Sequence, residues 1–345
     1  MKRSVQDIAH ELGLSRNTVS KALNGKGGVS EKTRKLIFEK ATEMNYRSFF
    51  LEYASPTPSS SRGSIVLVTR NSVHSGFWLG VMNGLQSVLQ ENGYELVMGI
   101  MNNVTSNTAA LPPQLFNPNV KGVILVEICN CKICEAITRL GLPTVTVDMP
   151  REYEALRESM DMVTMENRIN VKRIVRQLID QGKHHFAFAG ELHSNTVGAG
   201  FQERFDALVE TLHEAGLQLD EEHSFIRETE AQFMEPQHLV SRLKNMSSLP
   251  EVYICGNDWT AIQMINAMHY CSISIPDQVA IVGFDNITES ATTIPPLTTI
   301  EIPREVLGVE AARCLLSRIE NPNKPYLFLR CNTKLIERSS TGSIA

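Results

Sequence analysis

Cysteine is sparse in this chain. Seven in 345 residues, an odd number, exclude a disulfide scaffold. No window holds 18 consecutive apolar residues, so no transmembrane helix is expected. The opening MKRSVQDIAHEL is basic but lacks an apolar h-region, which argues against a secretory signal. Reduced thiols in a cytoplasmic protein are therefore the expectation, with no membrane partner. No G-x-G-x-x-G, G-x-x-x-x-G-K-[ST], G-x-S-x-G or H-E-x-x-H occurs, which removes the commonest nucleotide-binding and hydrolase motifs. Carboxylates are plentiful, but no pair stands out as acid and base. The chain reads as a non-enzyme without a cofactor.

What is present is an ordinary globular composition, 42% apolar and 21% charged. At roughly 100–200 residues per domain, the length predicts two or three units. The net charge of −5 hides an asymmetry. Residues 1–50 carry +5 and residues 51–345 carry −10. A small basic head on an acidic body suggests a polyanion partner for the head alone.

Residues 4–45 read as three short helices. Ser4 and Asp7 form a capping-box signature ahead of Val5, Ile8, Ala9 and Leu12 at helical spacing. Gly13 breaks that run. Ser15 caps a second helix with Val19, Ala22 and Leu23 inward, and Ser30 caps a third with Ile37, Ala41 and Met44 on one face. Ala9, Gly13 and Val19 stand four and then six residues apart. A helix-turn-helix needs a small residue at the helix crossing, a Gly for the tight turn and an apolar residue to lock the pair. The second helix then exposes Arg16, Asn17 and Lys21, with Thr18 and Ser20 nearby. Arg and Lys suit guanine and Asn suits adenine, while Ser, Thr and Lys suit phosphate. The bland reading is a solvated face on a helical hairpin.

Residues 47–62 end in a Pro/Ser-rich linker, ASPTPSSSRG. Beyond it, apolar strands alternate with amphipathic helices, as in parallel βαβ units. Strands are expected at 64–69, 94–99, 120–127 and 142–148, with a helix at 77–93. The pattern restarts with helices at 171–182, 201–216 and 259–270 and strands at 185–190, 251–258 and 279–286. One further helix near 303–320 and one strand near 326–331 close the chain. In such sheets ligands sit at the carboxyl ends of strands, here the loops 70–77, 127–131, 148–153, 190–200, 255–259 and 284–288. Both tryptophans, Trp78 and Trp259, fall there.

The run SVQDIAHELGLSRNTVSKALNGKGGVSEKTRKLIFEKATEMNYR resembles the DNA-binding head of the LacI/GalR family of bacterial repressors. V-T-V-D at 145–148, C-G-N-D at 255–258 and I-P-D-Q-V-A-I-V-G-F-D-N at 275–286 continue the resemblance, as do P-P-L-T-T-I at 295–300, L-G-x-x-A at 307–311 and L-I-E-R-S-S-T at 335–341. It implies an all-α helix-turn-helix domain at 1–47, a hinge at 48–62 and an α/β core of two parallel-sheet lobes, periplasmic-binding-protein-like of type I. The lobes would be 63–162 with 291–323, and 163–290 with 324–345. It implies a homodimer on a palindromic double-stranded operator, and a small-molecule effector, of sugar or sugar-derivative class, between the lobes. Arg16, Asn17 and Lys21 fall on base-contacting positions. Ser4, Ser15, Thr18, Ser20, Asn24 and Tyr46 fall on backbone-contacting ones. Phe77, Trp78, Asp148, Asn195, Phe201, Asn257, Asp258, Trp259 and Asp285 fall on cleft positions. Asp258 reads equally as a helix cap, and Trp259 as a core residue.

Two departures stand out. The hinge lacks the family's Pro and its Ala-Arg-x-Leu, leaving Phe50 or Leu51 as the apolar wedge for a minor groove. Phe201 occupies the place of an Arg that binds ligand oxygens, with Arg204 one turn on, so a more apolar or aromatic effector, or none, competes with a sugar. The rival reading of the whole is a cytoplasmic solute sensor without specific DNA reading. Cys129, Cys131 and Cys134 form C-x-C-x-x-C, which reads as a metal or redox site or as ordinary buried thiols. His184-His185 reads as a strand edge.

Overall fold

Ser15 and Ser30 each start a helix in the way their sequence context requires. Ser15 Oγ accepts the amide of Thr18 at 3.0 Å, and Ser30 Oγ accepts that of Thr33 at 3.2 Å. The computed structural model describes residues 5–23, 28–44, 61–70, 75–102, 104, 110–194 and 197–342. The chain divides into two compact units, Met1–Ser61 and Arg62–Ala345.

The first unit holds α1 (Val5–Leu12), α2 (Arg16–Leu23) and α3 (Glu31–Glu43). Gly13 turns α1 into α2 at φ +62°, a conformation in which a Cβ is strained. Ile8, Ala9, Val19, Ala22, Leu23, Ile37 and Met44 form a buried cluster. Seven of the inward positions read from the sequence are thus the core, with Val5 and Leu12 partly buried against it. Ser4, Asn24, Tyr46, Phe50, Leu51 and Asn195 lie outside the described residues, as do the side chains of Ala41 and Phe77.

The second unit is built on a six-stranded sheet, ordered β10-β5-β4-β3-β1-β2 and parallel throughout. Its strands are β1 (Gly63–Arg70), β2 (Tyr94–Met101), β3 (Val120–Val126), β4 (Thr144–Val147), β5 (Asp161–Met165) and β10 (Phe328–Cys331). The middle strands are apolar runs because helices cover both faces. A second parallel sheet pairs β6 (Phe186–Ala189), β7 (Val252–Cys255) and β8 (Ala280–Val282). Beside it, β9 (Thr299–Glu301) and β11 (Lys334–Ile336) pair antiparallel. The helices are α4 (Ser75–Glu91), α5 (Cys131–Thr138), α6 (Ile169–Asp180), α7 (Ala199–Glu214), α8 (Glu230–Phe233), α9 (Pro236–Lys244), α10 (Asp258–Tyr270) and α11 (Arg304–Glu320). Helices α4 and α11 approach backbone to backbone. A Cβ on Gly308 would lie 2.0 Å from the Val81 carbonyl, and one on Gly84 2.1 Å from that of Glu305.

The lobe assignment read from the sequence needs two corrections. Strand β10, expected with the second lobe, joins the first sheet beside β5. The backbone ladder with β5 holds it there, and Asp161 Oδ1 adds a bond from the amide of Leu327 at 2.7 Å at the start of that edge. Strand β9, expected with the first lobe, is bridged to the second sheet through Thr298 and Glu301. The chain therefore passes between the sheets near 166–185, 302–304 and 332–334.

Candidate functional site

In the head, the cap at Ser15 fixes where α2 begins and so which side chains face out. Val19, Ala22 and Leu23 lock inward, while Arg16, Asn17 and Lys21 are exposed, and Thr18 and Ser20 are half-buried beside them. The Ser15 and Thr18 hydroxyls lie 2.8 Å apart, so the two residues read as phosphate contacts also close the first turn. Two cations and one amide on one exposed face provide donors of the kind that meet base edges in a major groove.

In the second unit, the carboxyl ends of both sheets face a cleft open to solvent at its mouth. Trp78, Asp148, Phe201, Asn257, Trp259 and Asp285 all line it. Trp259 is half-exposed there, not core. Asp258 does not line the cleft. It is fully buried, accepting the Thr299 hydroxyl at 2.5 Å and the Ile287 amide at 2.9 Å. It ties the strand-end loop to β9, and burial pushes its carboxyl up to about 7. The helix cap is its neighbour Asn257, which accepts the Thr260 amide at 2.9 Å.

Sequence reasoning left several charged residues of the cleft unassigned, and raised Arg204 only as one turn beyond Phe201. Arg70, Glu127, Glu191, Arg204, Glu230 and Phe233 also line it. Arg70, Glu127 and Glu191 stand in loops that the topological rule named without choosing among their residues, whereas Glu230 and Phe233 lie in α8, outside every loop it named. Arg70 reaches Glu127 at 3.3 Å and Glu230 at 3.0 Å. Burial weakens its charge, yet the two carboxylates more than offset this and hold it above its ordinary value. Arg204 answers the question left by Phe201. It turns back into the cleft wall, donates to Asn167 at 3.0 Å and to the Gly256 carbonyl at 2.5 Å, and lies 3.5 Å over the Phe284 ring centroid. Burial lowers its pKa.

The acids are held under strain. Glu127, Asp148 and Asp285 have φ of +56°, +65° and +116°, left-handed values that cost non-glycine residues about 1–3 kcal/mol. Burial raises the carboxyls of Glu127, Asp148 and Glu191, and pushes Asp285 up to about 8. The aromatic walls and convergent polar groups suit a small molecule.

Cys129 and Cys134 are buried and Cys131 is half-buried; burial raises all three thiols, which disfavours the reactive thiolate. Among the described residues no group of three or more His, Cys, Asp or Glu is placed to hold a metal ion. His184 and His185 are exposed at the start of β6, their amides bound to Glu251. No helix among the described residues is long and apolar enough to cross a membrane.

Comparison with known proteins agrees with this division. Residues 4–48 match the model of bacterial regulatory proteins of the lacI family, and residues 175–341 that of the periplasmic binding protein-like domain. The chain is 26% identical to the HTH-type transcriptional repressor PurR of Glaesserella parasuis serovar 5 (strain SH0165), over 99% of both chains. It is also 26% identical to the ribose operon repressor of Haemophilus influenzae (strain ATCC 51907 / DSM 11121 / KW20 / Rd), over 99% of both. A solved transcriptional regulator CelR–cellobiose complex shares its fold at a TM-score of 0.68 and 22% identity, covering 98% of this chain and 99% of that one. A lac repressor dimer bound to operator and the anti-inducer ONPF does so at 0.66 and 20%, covering 99% and 100%.

Proposed function

We propose that the chain is a lacI-family regulator in which Arg16, Asn17 and Lys21 read base edges in a palindromic operator while the interlobe cleft holds the effector. It is a DNA-binding transcriptional regulator, a repressor by its relatives, responsive to a small molecule. The observation that carries the finer reading is the α2 surface, exposed and polar outward, locked by Val19 and Ala22 inward. Ser15, Thr18 and Ser20 flank it where phosphates run.

One head covers too little DNA for useful specificity, so two copies act together. Support for a homodimer comes from the edge of the six-stranded sheet. Met98 and Ile100 on β2, Leu79 on α4 and Phe116 nearby are exposed large apolar side chains, a face suited to a second copy of this chain. Effector binding would shift the lobes about the three crossings and thereby alter operator affinity. Coupling of this kind is typically about 1–3 kcal/mol, or roughly 5–150-fold. The place of action is the cytoplasm, with the DNA.

The test is selection of binding sites from a random DNA library at near-physiological salt. Enrichment of a palindrome with half-sites about one helical turn apart is expected. Binding that falls steeply with salt yet selects no sequence would overturn specific reading and leave a sensor with a merely basic head.

A further inference from the structure

Accepting the cleft as the effector site, we infer that its effector carries a positively charged nitrogen on an apolar or aromatic ring framework. The wall brings together five carboxylates, Glu127, Asp148, Glu191, Glu230 and Asp285, against two guanidiniums, Arg70 and Arg204. Both guanidiniums are already occupied. Arg70 is divided between Glu127 and Glu230, and Arg204 between Asn167, the Gly256 carbonyl and the Phe284 ring. Each already answers part of the acidic wall or of the backbone, and the five carboxylates outnumber the two guanidiniums.

Asp285 gives the deficit a location. It is 9% exposed, it lines the cleft, and no described residue donates a hydrogen bond to its carboxylate. A carboxylate so buried requires an opposite charge or a proton. Burial favours the proton and, against the opposing pull of Arg204 and Arg304, pushes the group up to about 8; a bound cation would take the proton's place. A neutral polyol supplies donors but no charge, and leaves the same deficit. Trp78, Phe201, Phe233 and Trp259 complete the enclosure. Aromatic faces attract cations as well as apolar rings, and the attraction grows as water is removed. Phe201, where a cationic side chain was the family expectation, thus makes the cleft more receptive to a cation on the ligand itself.

The experiment uses the full chain and its own reporters, since Trp78 and Trp259 are its only tryptophans. Their fluorescence is quenched at constant ionic strength by caesium, acrylamide and iodide, each normalised to a free tryptophan amide. Caesium should quench about fivefold or more better than iodide, a ratio set by the local field. At about pH 9, where Asp285 is ionised, Asp285→Asn should narrow that ratio. Equal quenching by the two ions, or a ratio unmoved by Asp285→Asn, overturns the inference. Two matched series then test ligands by thermal shift: glucosamine, glucose and glucuronate, and benzylamine, benzyl alcohol and benzoate. In any series that stabilises the protein, the amine must do so most. An acid or neutral member that matches it overturns the inference, and where neither series binds the quenching ratio decides. A charge-blind cleft in a protein that still selects a palindrome refutes the effector charge alone. A charge-selective cleft in a protein that selects no DNA refutes the operator reading alone.

Discussion

Asp285 concentrates the electrostatic cost of the cleft at one side chain, and that cost should appear as pH dependence. Its ordinary value is 3.8 and its value in the folded protein is about 8. Between those limits the folded state binds the extra proton. The stability this group contributes is therefore complete below about pH 4 and is lost as pH rises through its folded value. Asp258, at about 7, acts in the same sense over a narrower range. In Asp285→Asn the melting temperature should fall less steeply between about pH 5 and pH 8, by roughly 2–4 °C for each kcal/mol relieved. Melting curves with parallel pH slopes in the two proteins would refute this. In the head, Lys21→Ala should weaken operator binding by about 1–3 kcal/mol and relax preference at one base position. Unchanged affinity and an unchanged site logo would place Lys21 off the DNA. Lys21 was legible in the sequence because helical spacing alone sorts inward from outward residues. Arg204 was not legible, because its side chain runs back along the wall to Gly256, a contact 52 residues distant.

At the scale of elements, the six-stranded sheet is tied to the helix that covers it through a pair that no local pattern announces. Arg318, near the end of α11, meets Asp161 of β5 with two hydrogen bonds of 2.9 Å, and both residues are buried. The same guanidinium donates to the Lys324 carbonyl and, at 3.1 and 2.9 Å, to those of Pro322 and Pro325, shaping the approach to β10. Removing one partner leaves a buried charge uncompensated. Arg318→Met should therefore cost about 3–5 kcal/mol in denaturant unfolding, and adding Asp161→Asn should recover part of the loss. If the double variant is no more stable than the single one, packing rather than charge explains the cost. Strand β5 itself escaped the sequence reading. DMVTM is buried at all five positions and so shows neither alternation nor flanking breakers. Helix α9 was also missed, although Pro236 at its start with Leu239, Val240 and Leu243 on its buried face carried a signal. The long central strands and amphipathic helices were legible because their apolar periodicity is set by burial on one or both faces. The lobe membership of β9 and β10 depends on contacts far along the chain, and local periodicity is silent about those.

Across the whole effector-binding unit, charged pairs cross between the lobes at the cleft. Arg70 at the end of β1 reaches Glu230 of α8 at 3.0 Å, and Arg330 of β10 reaches Glu203 of α7 at 2.7 Å. Arg151 donates to the Leu192 carbonyl and, at 3.0 Å, to Gln202. These contacts favour the closed arrangement, but the side chain of Glu230 is 44% exposed, so solvent screens its share. An exposed pair contributes about 0.2–1 kcal/mol, which shifts an open–closed equilibrium by roughly 1.4- to 5-fold. That is enough to tune a switch and too little to constitute one, since moving a population from 1:99 to 99:1 takes about 5.5 kcal/mol of differential affinity. The effector's own contacts with both lobes must supply the larger part. Glu230→Gln should therefore leave the fold intact by circular dichroism while raising acrylamide quenching of Trp78 and Trp259, because the cleft opens more often. Quenching that stays at the wild-type level would mean that Arg70 and Glu230 shape the cleft wall without holding it shut, and that closure rests on the contacts of Arg151 and Arg330.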